Sequence, residues 1–191
     1  MPITEFTALR IVEMNIGLIG TDGTYGGLTN EGCINDIEVE PEIRTITKTC
    51  EGVEVLSRPQ IDYLTLSINA HFKPGIIRKM DGLKNDGLAV GVYGYPKFPI
   101  GAKLLITAKV LDENQVVKYI AFPNVMAPNG LSFSIDNTED EVQLQEKELR
   151  AYNDVNDMSY YEAFADELED DDIKTKWMNQ FTPELVKDLE A

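Results

Sequence analysis

The chain has 191 residues, with 33 acidic and 17 basic side chains and a formal net charge of −16. That length fits one domain, or one domain with an appendage, and that charge argues against a protein that grips nucleic acid by neutralising phosphates. One histidine and two cysteines exclude a histidine-pair metal site within one chain and are too few for a disulfide framework.

The start, MPITEFTALR, lacks the basic start and apolar stretch of a signal peptide. No apolar run approaches the ~18–20 residues of a membrane span. A soluble product folding in a reducing compartment is expected. Thr21 to Gly27 (TDGTYGG) has no Lys-Ser/Thr ending and leads into no strong helix, so it reads as a loop rather than a phosphate cradle. Further on, Ile37, Val39 and Ile43 alternate with Glu38, Glu40 and Glu42, the period of a strand with one acidic side. Cys33 and Cys50 flank this segment, could lie close in space, and are expected to be reduced.

Ile61 to Phe72 has the clearest pattern. Leu64, Leu66, Ile68, Ala70 and Phe72 share one face, and Tyr63, Thr65, Ser67, Asn69 and His71 share the other. His71 has no nearby Cys, Asp or Glu in sequence and reads as a surface residue. A helix is expected from Pro74, with Ile76, Met80 and Leu83 at helical spacing and Gly82 and Gly87 at its end. Leu88 to Tyr93 reads as a short strand. Lys103 to Asp112, with Leu104, Ile106, Ala108 and Val110 on one side, turns at Asp112-Glu113-Asn114 into Gln115 to Phe122 as a hairpin. Leu131, Phe133 and Ile135 alternate with serines as a further strand, and Val142 to Ala151 as another. Short strands separated by turn residues predict a mainly β protein, a β-sandwich or partly closed barrel with one flanking helix.

The C-terminal part differs. Residues 1–135 carry a net charge of −3 and residues 136–191 a net charge of −13. Ser159 and Glu162 form a capping-box pattern ahead of Tyr160, Phe164 and Leu168. Ile173, Trp177 and Phe181 are again four apart, and Thr182-Pro183 opens a third short segment with Leu185, Val186 and Leu189. Three short amphipathic helices are expected. Helices below ~12–15 residues are marginal alone, so Tyr160, Phe164, Leu168, Trp177 and Phe181 are the residues expected to dock this extension. The acidic clusters Asp136 to Glu141 and Glu167 to Asp172 match no EF-hand spacing and read as solvated faces. No catalytic constellation, metal site or cofactor site stands out, which points to a structural or interaction role rather than an enzyme.

The order of segments resembles that of the major tail protein, or tail tube protein, of siphovirus-type bacteriophages. The resemblance runs over roughly residues 5–155. It rests on ALRIVEM, GTDGTYGGLTNEGC, INDIEVEPEI, the excursion RTITKTCEGVEVLSRP, the long alternating strand, one helix, GLAVGVYGYP, the hairpin AKLLITAKVLDENQVVKYIAF, and strands ending in LRAYND. It implies a tail-tube-like β-sandwich domain over 1–155 and sets 156–191 apart as an acidic helical extension. It further implies hexameric rings that stack into a tube around a tape measure protein, bounded by tail terminator and baseplate or tail-tip proteins. Viral DNA would pass through without specific binding, and the protein would assemble in the host cytoplasm and reside in the virion. By the same resemblance a loop reaches the adjacent ring, here within Arg44 to Pro59 and including Arg44, Thr45, Thr47, Lys48, Glu51, Glu54 and Arg58. Glu38, Glu40 and Glu42 would line the lumen, where like charge keeps a polyanion sliding. The alternative is a β-sandwich carbohydrate- or receptor-binding module using Tyr93, Tyr95 and Phe98 as a platform.

Overall fold

The computed structural model describes residues 3–50, 53–128, 130–135 and 144–187. In chain order these form β1 (Ala8–Ile19), β2 (Gly32–Cys50), β3 (Val53–Phe72), α1 (Pro74–Met80), β4 (Lys103–Asp112), β5 (Val117–Met126), β6 (Gln145–Ala151), β7 (Tyr161–Phe164) and α2 (Asp171–Gln180). The fold is mainly β. The strands make one antiparallel sheet in the order β1-β4-β5-β6-β3-β2, with β7 added on β5, and the sheet does not close into a barrel.

The period-two segments form strands because each buries one side. On β3, Leu66 pairs with Val39 of β2 and Leu149 of β6, and Ile68 pairs with Ile37 and Lys147. Leu66, Ile68, Ala70 and Phe72 join Met14 and Ile16 of β1, Leu104, Ile106 and Ala108 of β4, Phe122 and Val125 of β5, and Ile76 and Met80 of α1 in one buried cluster. Strands from both halves of the sheet thus enclose a single core, as in a sandwich. The fold-over sits in β5. Its first half pairs with β4 and β7, and its last two residues, Val125 and Met126, pair with β6. The β4–β5 register shifts between Leu104 and Ile106, opposite Pro123, which has no N–H to give the ladder. A proline at a bulge is how a central strand changes partners.

β4 is buried on both faces, where the sequence pattern predicts one. Leu105 of β4 and Ala121 of β5 pack with Leu28, Trp177, Met178 and Phe181 in a second cluster on the reverse side. α2 is the lid of this cluster. Asp170 caps it, its carboxylate accepting from the Asp172 N–H at 2.8 Å. Trp177 stacks on Tyr119 at 5.8 Å and donates its indole N–H to the Ile120 carbonyl. Asn15 of β1 donates to the Met178 carbonyl at 2.8 Å.

One charged group crosses the main core. Lys147 lies on the apolar side of β6 and is buried, as is Asp81 just after α1. The ammonium donates to both Asp81 oxygens, at 2.7 and 3.0 Å, and to the Ser132 carbonyl at 3.0 Å. With all three bonds made, the pair ties α1 and the segment at Ser132 to β6. Removing one partner from such a pair typically costs about 3–5 kcal/mol.

Several expectations are corrected. Leu88 to Tyr93 forms turns, not a strand, because Gly87 and Gly91 take φ of +74° and +83° and fold the segment back. Leu131 to Ile135 alternates but pairs with no strand among the described residues. The helix after Pro74 ends at Met80 rather than reaching Leu83, and Gly82 (φ +71°) turns the chain out. Tyr161–Phe164 is strand β7, not helix. The open flank of β5 offers ladder hydrogen bonds that outweigh the capping-box signal. Residues 183–186 form turns rather than a third helix. The sixth strand begins at Gln145; residues 142–143 and the acidic cluster Asp136 to Glu141 (136–141) lie outside the described residues. Cys33 and Cys50 sit at opposite ends of β2, about 55 Å apart at ~3.3 Å per residue, too far for a bridge between them.

The join between β7 and the body predicts an alkaline limit. Burial, and then its hydrogen bond to Asp154 (2.7 Å), push Tyr161 up to about 12. Burial, and then its bond to Glu162 (2.6 Å), push Tyr160 up as well. Unfolded tyrosine ionises near pH ~10. The stabilisation from these shifts is therefore whole below pH ~10 and is lost as pH rises through the folded values. Thermal melts between pH 8 and 11.5 should show Tm dropping above pH 10, with a shallower drop in Tyr161→Phe. A wild-type Tm that stays level to pH 11.5 would contradict this.

Candidate assembly surfaces

β3 is twenty residues long, but only Leu64 to Ala70 pair with β6. The rest of its N-terminal part pairs with β2 alone, so the β2–β3 hairpin runs beyond the sheet as a two-stranded ribbon. The segment expected as a loop at Arg44 to Pro59 is this ribbon, with Arg44 opposite Gln60, Thr45 opposite Pro59 and Thr47 opposite Ser57. Arg44, Thr45, Thr47 and Arg58 are exposed, and Arg44 pairs with Asp62 at 3.3 Å. Glu51 lies outside the described residues, as do the side chains of Lys48 and Glu54. Exposed Ile43 and Ile61 stand opposite each other, with Ile46 nearby. Ile43 and Ile61 share one face and Ile46 lies on the other, so both faces of the projecting ribbon offer apolar side chains to a partner.

β2 is also an edge of the sheet, and β1 is the other. The outer side of the second half of β1 meets the following loop, through isolated bridges from Ile16 to Thr29 and from Ile19 to Tyr25 and through the Leu18 and Met14 carbonyls, which accept from the Gly26 N–H and the Asn30 amide. The first half of β1 carries exposed Leu9 and Val12. Pro41 on β2 removes one ladder donor and suits an edge position. The long edges are otherwise rows of backbone donors and acceptors of the kind that pair with another chain.

The register places Glu38, Glu40 and Glu42 opposite Ser67, Thr65 and Tyr63, and Ser67 and Thr65 in turn opposite Glu148 and Arg150. Paired residues in an antiparallel sheet share a face. The acidic row expected from β2 alone therefore widens into a polar face of β2, β3 and β6, with Asp36, Glu146 and Glu148 added. These carboxylates are exposed except Asp36, which accepts from Asn69 at 2.8 Å. Arg150 is the one base of this face among the described residues, its guanidinium 4.5 Å from the Tyr63 ring. The strands that carry Glu146 and Glu148 are far from Glu38 in sequence, so only pairing reveals them.

Cys33 and His71 face each other across the far end of β2 and β3, both exposed. Tyr93 has its ring face covered by Arg78 at 4.1 Å, Tyr95 lies against Gly130 and Leu131, and Phe98 is exposed. The three therefore do not present a common bare platform. Of the residues expected to dock the C-terminal extension, Trp177 and Phe181 are buried. Tyr160 packs on Phe122 (ring centroids 5.3 Å apart), Phe164 packs on Phe6 (5.2 Å), and Leu168 is half-buried. Glu162 of β7 meets Lys118 at 2.5 Å, and this bond, with that from Tyr160, holds its carboxyl below the usual range. Among the described residues no helix is long and apolar enough to cross a membrane.

No family model matches the sequence, and no curated protein matches it. Among solved structures the chain is similar to the cap of the anti-feeding prophage, the AFP tube terminating cap. The two share 14% identity over 86% of this chain and 100% of that chain, at a TM-score of 0.39.

Proposed function

We propose that this chain is a structural protein of a phage-type tail, whose copies join through their sheet edges into rings that stack into a tube. The observation that carries the reading is the pair of strand edges left free at the two ends of one open sheet, β2 and the first half of β1, whose second half is covered by the loop that follows it. Edge-to-edge pairing between copies would satisfy the backbone groups of both, and an interface joining unlike surfaces closes into a ring when its rotation closes. Six copies, a tape measure protein inside, tail terminator and tail-tip proteins at the ends, and the virion as final location follow from the resemblance to tail tube proteins. In this arrangement 1–155 is the tube-forming body and 156–191 the appended segment. The ribbon with Arg44, Thr45, Thr47, Lys48, Glu51, Glu54 and Arg58 reaches the next ring.

Negative-stain microscopy of the purified protein at high concentration tests this directly. Rings or tubes are expected, and a monomer at every concentration and salt would overturn it. The polar face is assigned to the lumen, with Glu38, Glu40 and Glu42 repelling the passing polyanion. Reversing all three to lysine should leave tubes intact and slow DNA ejection severalfold, measured by dye release from particles. Ejection at the wild-type rate would remove the lumen assignment while leaving the tube.

A further inference from the structure

Between residues 73 and 103 the chain carries six bases and two acids, in a molecule whose net charge is −16. One of the two acids, Asp81, is neutralised by buried Lys147. Exposed Lys79, Lys84 and Lys97 make no ion pair among the described residues. They border a loop that is held firmly. The Asn85 amide donates to the Ala89 and Val92 carbonyls, and Lys84 and Gly94 exchange two backbone bonds. Yet this pinned loop shows its apolar side chains to water. Val90 is fully exposed at its tip, and Phe98 and Ile100 are 76% and 74% exposed. An ordered apolar surface rimmed by free cations has the character of an interaction site.

The opposite charge lies at the other end of the same strand. β4 starts at Lys103, directly after the loop, and ends at Asp112. The hairpin returns at Val117, whose carbonyl accepts from the Ala165 N–H at 2.9 Å. The acidic segment 166–172 follows at once. Asp166, Glu167, Glu169, Asp170, Asp171 and Asp172 are all exposed. Asp171 and Asp172 pair with Lys174 and Lys176, and Asp170 caps α2. Asp166 and Glu169 make no ion pair among the described residues. Ten residues of strand separate the two ends by about 33 Å.

We infer that copies of this chain meet head to tail, the basic and apolar surface of α1 and residues 83–100 receiving the acidic 166–172 segment of a second copy. The inference rests on the self-assembly reading above and names a second contact for it. Complementary charge at opposite ends specifies one polarity and repels the reversed one, and it engages the acidic extension in assembly.

Charge-swapped variants test it. Lys79→Glu with Lys84→Glu reverses one surface, and Asp166→Lys with Glu169→Lys reverses the other; all four are exposed, so circular dichroism should match wild type. Each variant alone should need about tenfold more protein, or more, to assemble, read by sedimentation velocity. An equimolar mixture should assemble at the wild-type concentration, because alternating copies restore every contact. Assembly of either variant alone at the wild-type concentration, or failure of the mixture, overturns the inference while the wild-type tubes still stand. A wild-type protein that never assembles overturns the self-assembly reading and this contact with it.

Discussion

Replacing Trp177 with alanine is expected to destabilise the protein by about 3–5 kcal/mol and to lower Tm by about 10 °C for a chain of this size. The side chain is 2% exposed and fills the middle of the second cluster, with Phe181 at 4.9 Å on one side and Tyr119 at 5.8 Å on the other. Collapse around the vacancy is limited. Its floor is β4, which the main core fixes from beneath, and its roof is a ten-residue helix with few other buried side chains. Such a helix is not stable by itself, so losing its central anchor weakens every contact of α2, including the Asn15 bond to the Met178 carbonyl. Trp177→Phe should recover most of the loss, since it restores ring area but not the N–H bond to Ile120. Chemical denaturation of the three proteins gives the values. A cost below about 1 kcal/mol for the alanine variant, the range of an ordinary surface change, would mean that α2 does not seal this face.

That second cluster also marks where the sequence stopped being legible. Alternation on β3 exposed its buried and polar faces directly, because both neighbours of that strand keep polar groups on one side. β4 reads as a one-faced strand until α2 is known to lie on its other side, where Leu105 is buried with Leu28, Trp177, Met178 and Phe181. The four-residue spacing of Ile173 and Trp177 was a true helical signal, and Phe181 follows directly as the residue that ends α2. The same spacing at Tyr160 and Phe164 was not, because the unpaired flank of β5 captured that segment as β7. Local pattern cannot report such a vacancy. The ribbon failed as a loop prediction for a related reason. Its residues alternate with no core on either face, so the amphipathic contrast that reveals a strand was missing. On the polar face, Glu38, Glu40 and Glu42 were readable as a row, but their neighbours Glu146 and Glu148 are supplied by β6, more than a hundred residues later.

Shortening the ribbon should separate folding from assembly completely. Arg44 and Gln60 are a paired position, so residues 45–59 can be replaced by Asn-Gly, the two-residue turn that suits a tight hairpin. The body keeps the pairs from Leu64 to Ala70 with β6 and from Gly32 to Ile43 with β3. The described side chains removed are exposed and none belongs to either buried cluster. The stability of the body should therefore change by no more than about 0.5 kcal/mol, as for surface changes elsewhere. Assembly should fail at the stacking step. The edges of β1 and β2 remain long enough to pair, so single rings are expected without tubes, whereas wild-type protein under the same conditions gives tubes. The physical reason is that the ribbon carries exposed apolar side chains, Ile43 and Ile61 on one face and Ile46 on the other, that gain stability only when another surface covers them, and the replacement takes away Ile46 together with the whole projecting stretch 45–59. Electron microscopy alongside thermal unfolding distinguishes the outcomes. Normal tubes from the shortened chain would exclude the ribbon from inter-ring contact, and a lowered Tm with no rings would show that it supports the fold instead.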